Sequence, residues 1–78
     1  MKMLSYEIQK LMLLLLRNKS CTFKSQEIFN NQQSFNRVIR ILLRCKWIRE
    51  TLFGNYEYGL TLRGLDVANK LKEFMDAT

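Results

Sequence analysis

Apolar residues recur in two rhythms along this chain. Leu4, Ile8, Leu11, Met12 and Leu15 form a stripe at helical spacing, the pattern of a helix with a buried face. Leu13, Leu14 and Leu16 add apolar groups on the other sides, so this first helix is apolar nearly all round and is buried or faces a second subunit. Ser5 can cap it, and Glu7 falls in its first turn, where the helix dipole favours an acid. Arg17-Asn18-Lys19 ends it, Asn tolerating the left-handed conformation. Cys21-Thr22-Phe23 reads as a short extended piece. Ser25 is then a good N-cap, with Gln26 and Glu27 in a first turn. Ile28 and Phe29 are the anchors of a second helix of about two turns, and Asn30-Asn31-Gln32 is the turn that follows.

The stretch Gln33 to Lys46 predicts a third helix, capped by Ser34 or a residue beside it. Val38, Ile41, Leu42 and Cys45 lie on one side at i, i+3, i+4, i+7, widened by Phe35, Ile39 and Leu43. Gln33, Asn36, Arg37, Arg40 and Arg44 fall on the opposite side, within roughly a third of the circumference at about 100° per residue. No acid occurs between Ile28 and Ile48, whereas a surface helix usually mixes Glu with Lys to gain i,i+4 pairs. Arg, Asn and Gln can make bidentate hydrogen bonds to guanine and adenine edges. The plain alternative is a solvated basic face.

After Lys46 the rhythm becomes alternating. Trp47, Arg49, Thr51 and Phe53 point one way and Ile48, Glu50 and Leu52 the other. Gly54-Asn55 is a two-residue hairpin signal, and Tyr56 to Leu60 is the return strand. Thr61 can cap a last helix from Leu62 to about Met75, with Leu65, Ala68, Leu71 and Phe74 or Met75 at helical spacing. The expected class is α+β, mostly α, in the order helix, short strand, helix, helix, β-hairpin, helix. A short helix, a polar turn and a longer helix with a polar outer face make a helix-turn-helix.

At 78 residues, the chain is expected to form a single domain over 1–78 with a thin core. Hydrophobic residues make up 47%, too many for a disordered chain. The formal charge of +6 and pI near 9.7 point to a polyanion, either nucleic acid or an acidic membrane surface. The apolar run Leu11 to Leu16 is far short of the ~20 residues of a membrane span and lacks a signal-peptide cleavage site, so a cytoplasmic protein without membrane attachment is expected.

Histidine is absent, which removes Ser-His-Asp and Cys-His nucleophiles and every His-containing zinc pattern. Cys21 and Cys45 are too few for a tetrahedral metal site. They read as reduced, buried small residues, with a disulfide as the alternative. No pair of acids marks a catalytic pocket. Neither an enzyme nor a cofactor is expected.

TFKSQEIFNN, SFNRVIRILLRCKWI and YEYGLTLRG, in this order and spacing, resemble the winged-helix DNA-binding fold. The pattern Y-x-L-T-x-x-G, here Tyr58 to Gly64, is similar to the wing-to-last-helix junction of bacterial and archaeal winged-helix regulators. The likeness covers about residues 5 to 75 and is greatest to small single-domain regulators related to the MarR and ArsR groups, including those of archaeal viruses and plasmids. It implies a recognition helix from Ser34 in the major groove, with Gln33, Asn36 and Arg37 on base edges and Arg40 and Arg44 on bases or phosphates. It places Lys24 and Ser25 at a helix N-terminus facing a phosphate, and Phe53 to Tyr56 at the wing tip, where Asn55 can hydrogen-bond. The tip departs from the pattern in having no Arg or Lys. The ArsR-type metal signature is also missing.

The expected function is therefore sequence-specific binding of double-stranded DNA by a transcriptional regulator. A homodimer through the first and last helices would cover the surplus Leu and Met of the first helix. Two other classes remain open: a winged helix used as a protein-protein interaction module without strong DNA binding, and an RNA or single-strand binder that stacks bases on Trp47, Tyr56 and Tyr58.

Overall fold

The first helix, α1 (Tyr6–Asn18), begins where the sequence offers a cap. Ser5 is extended, and its Oγ accepts the Ile8 N–H at 3.3 Å. At the other end Lys19, rather than Asn18, adopts the left-handed conformation (φ 72°), and its N–H donates to the Leu15 carbonyl at 2.8 Å. The structure, a computed structural model, describes residues 5–51 and 56–76. Strand β1 (Ser20–Cys21) follows directly.

The second helix expected over Ser25 to Phe29 is not formed; the chain there runs through turns and bends. Two apolar anchors do not stabilise a two-turn helix, whose nucleation is costly. A side chain supplies the hydrogen bonds instead. Gln26, 7% exposed, donates from Nε2 to the Phe23 and Phe29 carbonyls, both at 3.0 Å. Its Oε1 accepts the N–H groups of Ile28 at 2.6 Å and Phe29 at 2.7 Å. One buried amide thus satisfies four backbone groups that would otherwise be unpaired. Phe23 and Phe29 both meet Phe35 edge-on, with ring centroids 5.5 and 5.7 Å apart, a favoured aromatic geometry.

Helix α2 (Gln32–Arg44) starts earlier than expected because Asn31, not Ser34, is its cap: Asn31 Oδ1 accepts the Ser34 N–H at 3.0 Å. Phe35, Val38, Ile39 and Leu42 are buried. Ile41, expected on the buried side, is 42% exposed, and Leu43 is 40% exposed. The apolar arc is centred on Phe35, Ile39 and Leu42, because α2 packs there against the phenylalanines and Tyr58; Ile41 falls at its border. The helix closes with a Schellman arrangement. The Trp47 N–H donates to the Leu42 carbonyl at 3.1 Å and the Lys46 N–H to that of Leu43 at 3.0 Å, with Lys46 left-handed at φ 63°.

Strands β2 (Ile48–Glu50) and β3 (Tyr58–Leu60) form an antiparallel pair, Ile48 opposite Leu60 and Glu50 opposite Tyr58. Strand β1 adds to the far edge of β3, giving the sheet order β1-β3-β2. The expected Gly54-Asn55 turn lies outside the described residues. Helix α3 (Leu62–Asp76) is capped by Thr61, whose Oγ1 accepts the Gly64 N–H at 3.0 Å. Gly64 answers a close approach: a Cβ there would come within 1.8 Å of the Trp47 carbonyl oxygen.

The fold is α+β and mostly helical, three helices with one small antiparallel sheet. α1 packs against α3. Leu11, Met12, Leu15, Phe35 and Leu42 are almost fully enclosed. The remaining leucines of α1 are half-buried, so its apolar surplus is largely absorbed by its own chain. The exposed large apolar side chains lie more on α3, at Leu62, Leu65, Phe74 and Met75. Among the described residues, no helix is long and apolar enough to cross a membrane.

Candidate nucleic-acid interface

The polar side of α2 is built by elimination. Burial of Phe35, Val38, Ile39 and Leu42 fixes the rotation of the helix, and Gln33, Asn36, Arg37, Arg40 and Arg44 are all left exposed. From Gln33 to Arg44 this face runs about 16 Å at ~1.5 Å per residue. Among the described residues, the side chains of Arg37, Arg40 and Arg44 have no ion pair or hydrogen bond; the ion pair found, Lys70 with Asp66 at 3.2 Å, lies on α3. Three unneutralised guanidiniums on one helix face make a ready site for phosphates or base edges. Ile41 and Leu43 border the face and offer apolar contact of the kind a thymine methyl group meets.

Asn36 and Arg40 also share a groove of about 360 Å³ with Gln32, Leu43 and Tyr56, over a floor that includes Phe23, Phe35 and Tyr58. Gln32 escapes the sequence reading because the helix starts earlier than Ser34 suggests. Tyr56, expected at the wing tip and as a candidate base-stacking aromatic, is 70% exposed and left-handed at φ 63°. Its N–H donates to Glu50 Oε1 at 3.3 Å.

Two other predicted residues, Ser34 and Ser25, are tied into local hydrogen bonds. Ser34 is half-buried, its N–H held by the Asn31 cap. Ser25 has no helix to cap. Its Oγ accepts the Thr22 N–H at 2.8 Å and donates to the Thr22 carbonyl at 3.1 Å, and its own N–H reaches Thr22 Oγ1 at 3.2 Å. The helix N-terminus expected to hold a phosphate at Lys24 and Ser25 therefore does not exist; Lys24 is an exposed cation in a turn. Asn55 lies outside the described residues.

Two titratable groups of the interior are shifted toward their neutral forms. Burial, followed by the charge of Glu57, pushes the Cys21 thiol up to about 11, which favours its protonated form. Burial, then Glu50, raises the Tyr58 hydroxyl. Among the described residues no group of three or more Cys, Asp or Glu is placed to hold a metal ion. Compared with models of protein families, with curated proteins and with solved structures, the chain matches none.

Proposed function

We propose that this protein binds double-stranded DNA through the exposed face of α2, as a small winged-helix transcriptional regulator of the cytoplasm. The observation that carries the reading is the acid-free, unpaired face of Gln33, Asn36, Arg37, Arg40 and Arg44. The order of elements supports the winged-helix assignment, with a loop stitched by Gln26 in place of the first helix of the helix-turn-helix. Docking is electrostatic, by counterion release at phosphates. Base readout follows from Gln33, Asn36 and Arg37 near the helix start, with Arg40 and Arg44 on bases or backbone. Lys24 adds a phosphate contact from its turn.

Action as a homodimer is part of the proposal. The exposed Phe74 and Met75 near the end of α3, 71% and 46% exposed, are the surface that a second copy would cover. Two-fold pairing through the first and last helices sets recognition helices about 34 Å apart, one turn of DNA.

The test is Arg40→Ala with Arg44→Ala in a titration of duplex and single-stranded DNA at two salt concentrations. Duplex affinity should fall at least tenfold, with the melting temperature nearly unchanged because both side chains are exposed. The wild-type log affinity should fall with log salt at about 0.9 per phosphate contact, and the double variant should show a shallower slope. Equal affinity for both strand forms, or a variant that binds like the wild type, refutes the reading.

A further inference from the structure

A second cationic surface lies where the end of α1, the α2–β2 turn and the start of α3 meet. Its groove, about 830 Å³, is rimmed by Lys19, Lys46, Arg49 and Arg63. All four are exposed, no acid lines the groove, and none of the four has an ion-pair partner among the described residues. The floor is apolar, formed by Leu15, Leu16 and Leu60, and Leu62 and Leu65 stand beside it at 88% and 40% exposure. An exposed leucine pair set among unpaired cations is a costly surface to leave in water.

The frame beneath it is rigid. Thr61 Oγ1 donates to the Lys46 carbonyl at 2.6 Å, and the Thr61 N–H donates to the Trp47 carbonyl at 2.9 Å. Gly64 lies against that same Trp47 carbonyl. Lys19 and Lys46 both occupy left-handed turn positions, where glycine or asparagine is the usual choice. Both lysines thus border the groove from turn positions outside the exposed α2 face.

We infer that this groove docks an acidic protein segment carrying an apolar anchor, its carboxylates on Lys19, Lys46, Arg49 and Arg63 and its anchor against Leu62 and Leu65. Charge complementarity selects the acid, and the apolar floor selects a peptide over a sugar-phosphate backbone, which has no side chain to cover leucine. The concave shape favours a chain segment over a flat bilayer surface. This surface goes beyond DNA reading: it gives the proposed regulator a place to hold a protein partner while α2 is occupied.

The test uses the full chain and a fluorescein-labelled twelve-residue peptide of glutamates with two central leucines, followed by anisotropy. Arg49→Glu with Arg63→Glu should weaken peptide binding at least tenfold. Arg40→Glu with Arg44→Glu, which changes net charge by the same amount, should weaken it less than threefold. Leu62→Ser should weaken it severalfold, as should a peptide with serine in place of leucine; circular dichroism checks that each variant is folded. Equal losses from the two charge reversals, or full binding of the leucine-free peptide, mean attraction to net charge alone and overturn the proposal. So does loss of duplex affinity in Arg49→Glu with Arg63→Glu, leucine-dependent sedimentation with phosphatidylserine vesicles in place of peptide binding, or conversion of a dimer to monomers by Leu62→Ser. Failure of duplex binding by the wild-type chain bears only on the α2 reading, because the peptide arm does not involve DNA.

Discussion

The two ends of α2 are anchored by different chemistry. At the start, polar side chains do the holding: Asn31 caps the helix, and Gln26 ties together the segment that leads into it. At the finish, backbone contacts dominate, joined by one side chain, the Thr61 hydroxyl. The Leu42 and Leu43 carbonyls close the Schellman turn, Thr61 hydrogen-bonds the carbonyls of Lys46 and Trp47, and Gly64 lies against Trp47. A side-chain anchor loses a definable set of hydrogen bonds when it is mutated. A backbone anchor has no such slack, because a close approach either fits or forces the whole element away. The helix that presents the arginines therefore has a graded end and a steric end.

The steric end should give the largest effect. In Gly64→Ala the new methyl would lie 1.8 Å from the Trp47 carbonyl oxygen, so α3 must move off the turn. The expected cost is more than about 3 kcal/mol, above the usual range for an extra methylene in a packed core, read by urea denaturation. A loss under about 1 kcal/mol, the low end of that range, would mean the junction yields, and the contrast between the ends would disappear.

Gln26→Ala tests the graded end. It removes two donors and two acceptors' partners at once, leaving the Phe23 and Phe29 carbonyls and the Ile28 and Phe29 N–H groups without their amide. Unsatisfied buried groups cost about 1–3 kcal/mol each, but water can enter part of the vacated space, so about 2–3 kcal/mol in total is expected by urea denaturation. Amide hydrogen exchange should quicken over residues 23–31 and leave the Trp47 junction unchanged. Exchange that quickens equally at both ends would show one cooperative unit rather than two kinds of anchor.

What is legible in the sequence follows the same division. Single-residue devices with local targets can be read directly: Ser5 and Thr61 as helix caps. The absent second helix cannot, because Ser25, Gln26 and Glu27 suit a helical first turn as well as a loop. Only the burial of Gln26 beneath the phenylalanine cluster decides between them. Lys19 and Lys46 give no sign of left-handed backbone, a conformation that residue preference assigns to Asn. The α2 face is legible because apolar spacing alone orients the helix. Ser25 depends on a helix end that never forms, so its assignment falls with it, while Lys24 keeps only an exposed charge in a turn.

The smallest effect belongs to the cap. In Asn31→Ala the Ser34 N–H loses its acceptor, and a cap of this kind is worth about 1 kcal/mol. Asn31→Asp keeps an acceptor and places a negative charge at the positive end of the helix dipole, which should hold or slightly raise stability. The same acid would stand near the start of the face assigned to base readout. The new carboxylate would then repel phosphates while leaving the fold intact, so duplex affinity should fall severalfold although thermal stability does not. Asn31→Ala should do the reverse, melting several degrees lower while folded molecules bind duplex with nearly unchanged affinity. If both variants lose stability and affinity together, the cap and the DNA-reading face are one structural unit, and the start of α2 is not the adjustable end that its side-chain hydrogen bonds imply.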